Sequence, residues 1–311
     1  MRSWKELLPL VVAIVVLLGV FRVWVPQFLL AENLLDLAQQ ISINAILALG
    51  MTLVILIGGI DLSVGAVVAL IGTITVWLLP RTGPGIAVSA GLAAAALCGV
   101  VNGVCAARTP MPPFIITLAT MLMARGAALR FNEGRPIPVP AGEEGFLALG
   151  NARLFGVLPL PVVLMGATFA ASFLLLHHTR FGQHLYAIGG SREAARFVGI
   201  SLARHETAVY ILCSACAGLA GMIHASQLYS AEPASGQGFE LNAIAAVVVG
   251  GTSFTGGLGS VPGTLLGAII IGILDKGLNQ AGVHFSLQYI VKGAVILAAV
   301  YIDVRRGTAQ P

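Results

Sequence analysis

Charged side chains are scarce in this chain: Asp, Glu, Lys and Arg make up 10% of its 311 residues, against roughly 25% in a soluble domain. That shortage excludes an ordinary water-facing surface, and with it a globular enzyme carrying a small anchor. Aromatic residues are also few, at 7%, and the apolar runs are continuous rather than alternating, which excludes a transmembrane barrel. Lysine occurs only as Lys5, Lys276 and Lys292, after Trp4, Asp275 and Val291. No Gly-Lys pair exists to build a phosphate-cradling loop, so no ATP-hydrolysing site of that kind is expected here. No basic-aromatic patch is present, which argues against nucleic acid as a partner.

Cysteine and histidine offer little chemistry. Cys98, Cys105, Cys213 and Cys216 all fall in apolar runs, and Cys213-Ser-Ala-Cys216 has no neighbouring His or second Cys pair. These read as small packing residues. His177-His178, His224 and His284 lack metal spacing, so neither a metal nor a catalytic set is expected, and the chain reads as a non-enzyme.

What is abundant is apolar residue (57%) and glycine (38 residues). A spanning helix takes about 20 apolar residues, so the length allows on the order of ten spans and no sizeable soluble domain. Glycine at nearly twice its usual ~7% share fits helices that approach closely or break beside a cavity. The chain is expected to be an all-α membrane protein, one polytopic helical bundle over residues 1–311.

Apolar runs between turn residues place the spans at about 7–25, 38–58, 63–80, 86–107, 114–131, 158–176, 207–226, 241–257, 262–280 and 287–303. The first run has a basic start but no small-residue cleavage site, and is expected to stay as a helix. Basic residues gather at Arg2 and Lys5, at Arg305 and Arg306, and in the central loop at Arg180, Arg192, Arg196 and Arg204. The positive-inside rule puts all three groups in the cytoplasm. Both termini inside requires an even number of spans, and ten satisfies it. The loop at 178–206 then lies inside and those at 132–157 and 227–240 outside. Arg81, assigned outside, and the short turn at Asp61 fit this threading least well.

Three groups of polar residues stand out. In the central loop, Ser191 can cap a short segment from Arg192 to Val198, with Glu193 favourable in its first turn and Gly199 ending it. So short a helix needs a partner surface to hold it. At Gly58-Gly59-Ile60-Asp61-Leu62-Ser63, two glycines break an apolar run just before an acid and a hydroxyl. Asp61 can cap the following helix, or Asp61 and Ser63 can line a path or gate, since ionisable groups at membrane depth usually face a cavity. Gly250-Gly251-Thr252-Ser253-Phe254-Thr255-Gly256-Gly257 is too flexible for a straight helix and makes Gly250, Gly251, Thr252 and Ser253 gate candidates. Gly259, Gly263 and Gly267 repeat every four residues, the close-packing pattern of membrane helices.

Arg192-Glu193-Ala194-Ala195 followed by Gly199 resembles the Glu-Ala-Ala coupling loop of bacterial ATP-binding-cassette importer permeases. The blocks Gly58 to Gly65, Ala243 to Ser253, and Gly263 to Ala268 resemble the ribose/monosaccharide branch of the branched-chain amino acid/ribose superfamily, from about residue 40 to the end. The resemblance implies a type II importer-like bundle in the bacterial inner membrane, paired with a second permease copy or paralogue. It implies a separate ATPase subunit holding ATP and Mg, with no cofactor in this chain, and a periplasmic sugar-binding protein. Glu232, Gln237 and Glu240 in the second outer loop are docking candidates for that protein. Ribose, xylose, rhamnose and the sugar-like autoinducer-2 are handled by similar permeases. An ion-coupled secondary transporter of a small polar solute is the alternative. Asp275, Lys276 and Lys292 sit in the last two spans, where neutralisation of Asp275 by Lys292 or Lys276, or snorkelling to an interface, is expected.

Overall fold

The computed structural model describes residues 4–307; Arg2 lies outside them, and so do the side chains of Lys5, Arg305 and Arg306. Among the described residues nearly all regular structure is helical: α1 (Trp4–Trp24), α2 (Ala31–Leu56), α3 (Val64–Arg108), α4 (Pro113–Arg130), α5 (Glu144–Asn151), α6 (Leu160–His178), α7 (Arg180–Gly190), α8 (Arg192–Phe197), α9 (Leu202–Gln227), α10 (Phe239–Val249), α11 (Val261–Gln280) and α12 (Phe285–Gly307). A 3-10 turn (Phe131–Gly134) and four two-residue strands, β1 (Ile137–Pro138), β2 (Arg153–Leu154), β3 (Leu158–Pro159) and β4 (Ser230–Ala231), complete the order. Their pairings are β1 with β4 and β2 with β3, both antiparallel. The protein is a polytopic helical membrane protein.

Helix α2 is apolar from Ile41 to Leu56 except for Ser42, Asn44 and Thr52, and all of that stretch but Asn44 is buried, as a helix without a continuous polar face must be. It forms the axis of the bundle, with α6, α9, α10 and α11 packed around it. Helix α3 is too long to be one span: 45 residues would reach about 67 Å, twice the hydrocarbon thickness. It breaks at Gly83, whose φ of 76° and ψ of 169° are not helical, between Pro80 and Pro84. The chain folds back there, so that a Cβ placed on Gly91 would meet Thr75 and Ile71. The two arms of α3 are the third and fourth spans expected from the sequence. Arg81, at the bend, lies 3.9 Å over the Trp77 ring and donates to the Trp77 carbonyl, the kind of contact that anchors a cation at a helix end.

The eighth span differs from expectation. The sequence reading runs it from 241 to 257, but α10 is helical only over 11 residues, about 17 Å, too short to cross as helix alone, and irregular chain completes the passage to the opposite face. Residues 250–260 follow as irregular chain, with Gly251, Gly256 and Gly257 all at positive φ. Among the described residues, seven helices are long and apolar enough to cross a membrane, with α3 counted once; α10 and the apolar part of α12 are shorter.

The loops sort onto two faces. Strand pairing joins 137–138 to 230–231, so the loops at 132–157 and 227–240 share one face. On the opposite face, α7 meets residues 250–260: the Tyr186 hydroxyl donates to the Gly259 carbonyl at 2.9 Å. A seam of small residues fixes α3 against α9. Added Cβ atoms on Gly99 and Gly103 would meet the backbone of Ile211 and Thr207, and one on Gly221 that of Val68.

Candidate functional site

The stub helix forms as its capping residues dictate. The Ser191 hydroxyl accepts from the Ala194 N–H at 3.2 Å, and Gly199, at φ 84°, lets Ile200 N–H return to the Ala195 carbonyl at 3.0 Å. A glycine is needed there because a Cβ disfavours positive φ. The stub is one turn and a half and buries only Ala195. Its far end presents Phe197 and Val198, 90% and 75% exposed, to the space outside the bundle. Glu193 is also exposed.

One charge pair ties the stub to the bundle. Arg192 meets Glu206 of α9 at 2.6 Å, with the Glu206 side chain 3% exposed and that of Arg192 51% exposed. Sequence reasoning missed Glu206, although an acid standing between a basic loop and the apolar run from 207 was the available signal. The preceding helix is clamped from behind: a Cβ on Gly189 would meet the Leu56 carbonyl and the Gly257 N–H. The Gly257 N–H in turn donates to the Leu56 carbonyl at 2.8 Å. The loop helices, the end of α2 and the glycine-rich segment therefore meet at one junction.

Asp61 is fully buried. Its Oδ1 accepts from the Ser63 N–H at 2.9 Å and from the Ser63 hydroxyl at 2.6 Å, so the carboxylate holds the start of α3. Asn102 of the returning arm donates to the Ser63 Oγ at 3.0 Å. Thr117 of α4 accepts from the Leu62 N–H and donates to the Ile60 carbonyl. This break is thus stitched to α3 and α4, and neither Asp61 nor Ser63 reaches an open surface.

Thr252 is buried and Ser253 nearly so; the Ser253 and Thr255 hydroxyls share a hydrogen bond at 3.0 Å. Gly250 and Gly251 end α10, and Gly250 packs its backbone on Gly263. Gly267 abuts the Ala246 carbonyl, while Gly259 lies before α11 and faces Thr252. In the outer loop, Glu232 and Gln237 are exposed, whereas Glu240 is partly buried. Its Oε1 accepts from the Gly238 N–H at 3.2 Å, and its Oε2 lies where a Cβ on Gly65 would be. Arg125 of α4, missed in the sequence because it stands alone in an apolar run, donates to the Pro233 and Ser235 carbonyls at 2.8 and 2.6 Å. It pins the loop that leads into α10, and Gly236 is held against the Gly65 backbone.

In the last two spans Asp275 meets Lys292 at 3.0 Å, while Lys276 donates instead to the Asn33 carbonyl at 3.2 Å. The four cysteines are free, and among the described residues no group of three His, Cys, Asp or Glu side chains is placed to hold a metal.

Comparison with known proteins gives a family. Residues 33–300 match the model of the branched-chain amino acid transport system / permease component family. The ribose import permease protein of Escherichia coli K12 is 43% identical over 308 residues, 98% of this chain and 96% of that protein. The L-arabinose transport system permease protein of the same strain is 36% identical over 303 residues, 97% of this chain and 91% of its own length. The D-allose transport system permease protein is 37% identical over 279 residues, 89% and 84% of the two chains. No solved structure gives a significant match. The chain belongs to the branched-chain amino acid transport system / permease component family.

Proposed function

We propose that this permease-family chain is the membrane subunit of an ATP-binding-cassette importer that moves a monosaccharide across the bacterial inner membrane by alternating access. The observation that carries this reading is the capped stub α8, which exposes Phe197 and Val198 outward and is bound to α9 through Arg192 and Glu206. A short helix with an apolar tip and a rigid tie to a spanning helix is what a pushing partner requires. The partner is a separate ATPase subunit that holds ATP and Mg. Arg192, Glu193, Ala194, Ala195 and Gly199 form its seat, on the cytoplasmic side along with both termini.

Residues 250–253 serve as an inner gate, since they join α10 to residues 256–259, which touch both the end of α2 at Leu56 and the loop helix α7. Asp61 and Ser63 hold the α3 start that the gate works against. On the periplasmic face Glu232 and Gln237 receive a sugar-binding protein, with Glu240 fixing the segment behind them. A second permease copy or paralogue completes the pathway. Ribose is the favoured cargo, because the ribose relative is 43% identical where the arabinose and allose relatives are 36% and 37%.

The test is uptake of labelled ribose in the native host with Phe197→Asp, and separately with Glu193→Ala plus Gly199→Ala. Uptake is expected to fall at least tenfold in each while the chain stays in the membrane. Normal uptake in both would remove the ATPase seat from this loop. Uptake that survives vanadate and collapses with an uncoupler would favour the ion-coupled carrier instead.

A further inference from the structure

The Asp275 and Lys292 pair sits where an ion pair is hard to explain as packing alone. Asp275 lies about 8 Å inside the Gln280 end of α11, and Lys292 about 10 Å inside the Phe285 end of α12. Both stay partly exposed, at 25% and 21% of their side chains. Charges that open onto hydrocarbon at such depth are costly, and partly exposed ones normally border water or a polar partner. Lys292 does not snorkel toward the outer surface. Its Nζ is engaged by Asp275 at 3.0 Å and by the Asn242 Oδ1 at 3.4 Å, and Asn242 stands on the first turn of α10.

That placement supplies a second, independent reason for water there. Helix α10 is a half-helix, preceded by irregular chain that Arg125 and Gly65 hold inside the bundle. Non-helical backbone at membrane depth persists only within protein or beside a water-filled cavity, and half-helices of this sort flank binding sites in transporters. One turn outward on α12 from Lys292, the Tyr289 ring is 61% exposed, with the Lys292 ammonium 5.9 Å from its centroid.

Resting on the importer reading above, we infer that Asn242, Asp275, Lys292 and Tyr289 form a water-lined contact for a polyhydroxylated cargo in the outer half of the path. The carboxylate accepts from sugar hydroxyls, the amide both donates and accepts, and the ammonium donates. The tyrosine ring covers a C–H face of the sugar. The ion pair satisfies these groups when the site is empty, so the cargo exchanges hydrogen bonds rather than adding them. A contact of that kind orders the sugar without retaining it.

Two measurements test the inference. In cell membranes, Asn242→Cys and Tyr289→Cys are treated with a charged, membrane-impermeant methanethiosulfonate and compared with the parent chain and its four cysteines. Labelling of both above the parent is expected; lipid-facing positions would stay unlabelled, and that result overturns the water-lined site. Ribose uptake is then measured for the charge-swapped pair Asp275→Lys with Lys292→Asp and for Asn242→Ala, at matched membrane levels. A fall of tenfold or more for the swap and severalfold for Asn242→Ala is expected. Full uptake by the swapped pair would reduce the pair to a structural tie and sink the cargo contact. If the parent chain itself takes up no ribose, the cargo reading fails, and the labelling alone then decides whether the site faces water.

Discussion

Glu206 shows how one side chain can decide whether a loop transmits force. Its carboxylate is buried at the start of α9 and meets only one cation in the described contacts, Arg192. Removing that cation leaves a buried charge unpaired, which costs more than the pair itself contributes. Arg192→Ala is therefore expected to destabilise the protein by about 2 kcal/mol, discounted because the Arg192 side chain is half exposed. The double variant Arg192→Gln with Glu206→Gln should recover part of that loss, having no charge left to bury. Thermal unfolding in detergent reads both. Equal destabilisation of the single and double variants would show that the pair does not act as a unit. Arg192 was readable as part of a basic loop, but its partner is 14 positions away, and only the fold brings the two together.

At the scale of elements, glycine sets how closely helices approach. Gly267 of α11 lies against the Ala246 carbonyl of α10 and the Gly250 N–H, so a side chain there forces the half-helix away. Gly267→Leu is expected to lower the yield of folded protein and its thermal midpoint sharply, whereas Gly126→Leu, with open space around it, should do neither. Fluorescence-detected size exclusion of the two variants makes the comparison. The four-residue spacing in and before α11 was visible in the sequence. The seam of Gly99 and Gly103 against α9 was equally periodic but acquires meaning only once its partner is known. The half-helix was legible only in part: the glycines of 250–257 marked a segment too flexible for a straight helix, but the run 241–257 is nearly as long as a span, and the cradle formed by α2, α7 and α11 is what holds 250–260 out of a helix.

For the whole molecule, the two-faced arrangement of the loops makes a direct prediction. Phe155, in the loop between β2 and β3, is 99% exposed, and Phe197 is 90% exposed on the opposite face. On the proposed topology, with both termini cytoplasmic, Phe155→Cys should react with an impermeant maleimide in intact cells with a permeable outer envelope. Phe197→Cys should react only after the inner membrane is opened. The reverse pattern would invert the topology and move the proposed ATPase seat to the wrong side.

The sequence by itself determined the helical membrane class and the capped stub between Ser191 and Gly199, because these follow from quantities that are local or add along the chain: apolar length and the capping residues themselves. The resemblance of three ordered blocks carried it as far as the permease family. Tertiary structure decided what depends on neighbours distant in sequence. It turned the eighth span into a half-helix, enclosed Asp61 within contacts from Ser63, and chose Lys292 over Lys276 for Asp275. Each of those outcomes rests on which polar group finds a partner inside a bundle where water is scarce, and no local pattern of residues encodes that choice.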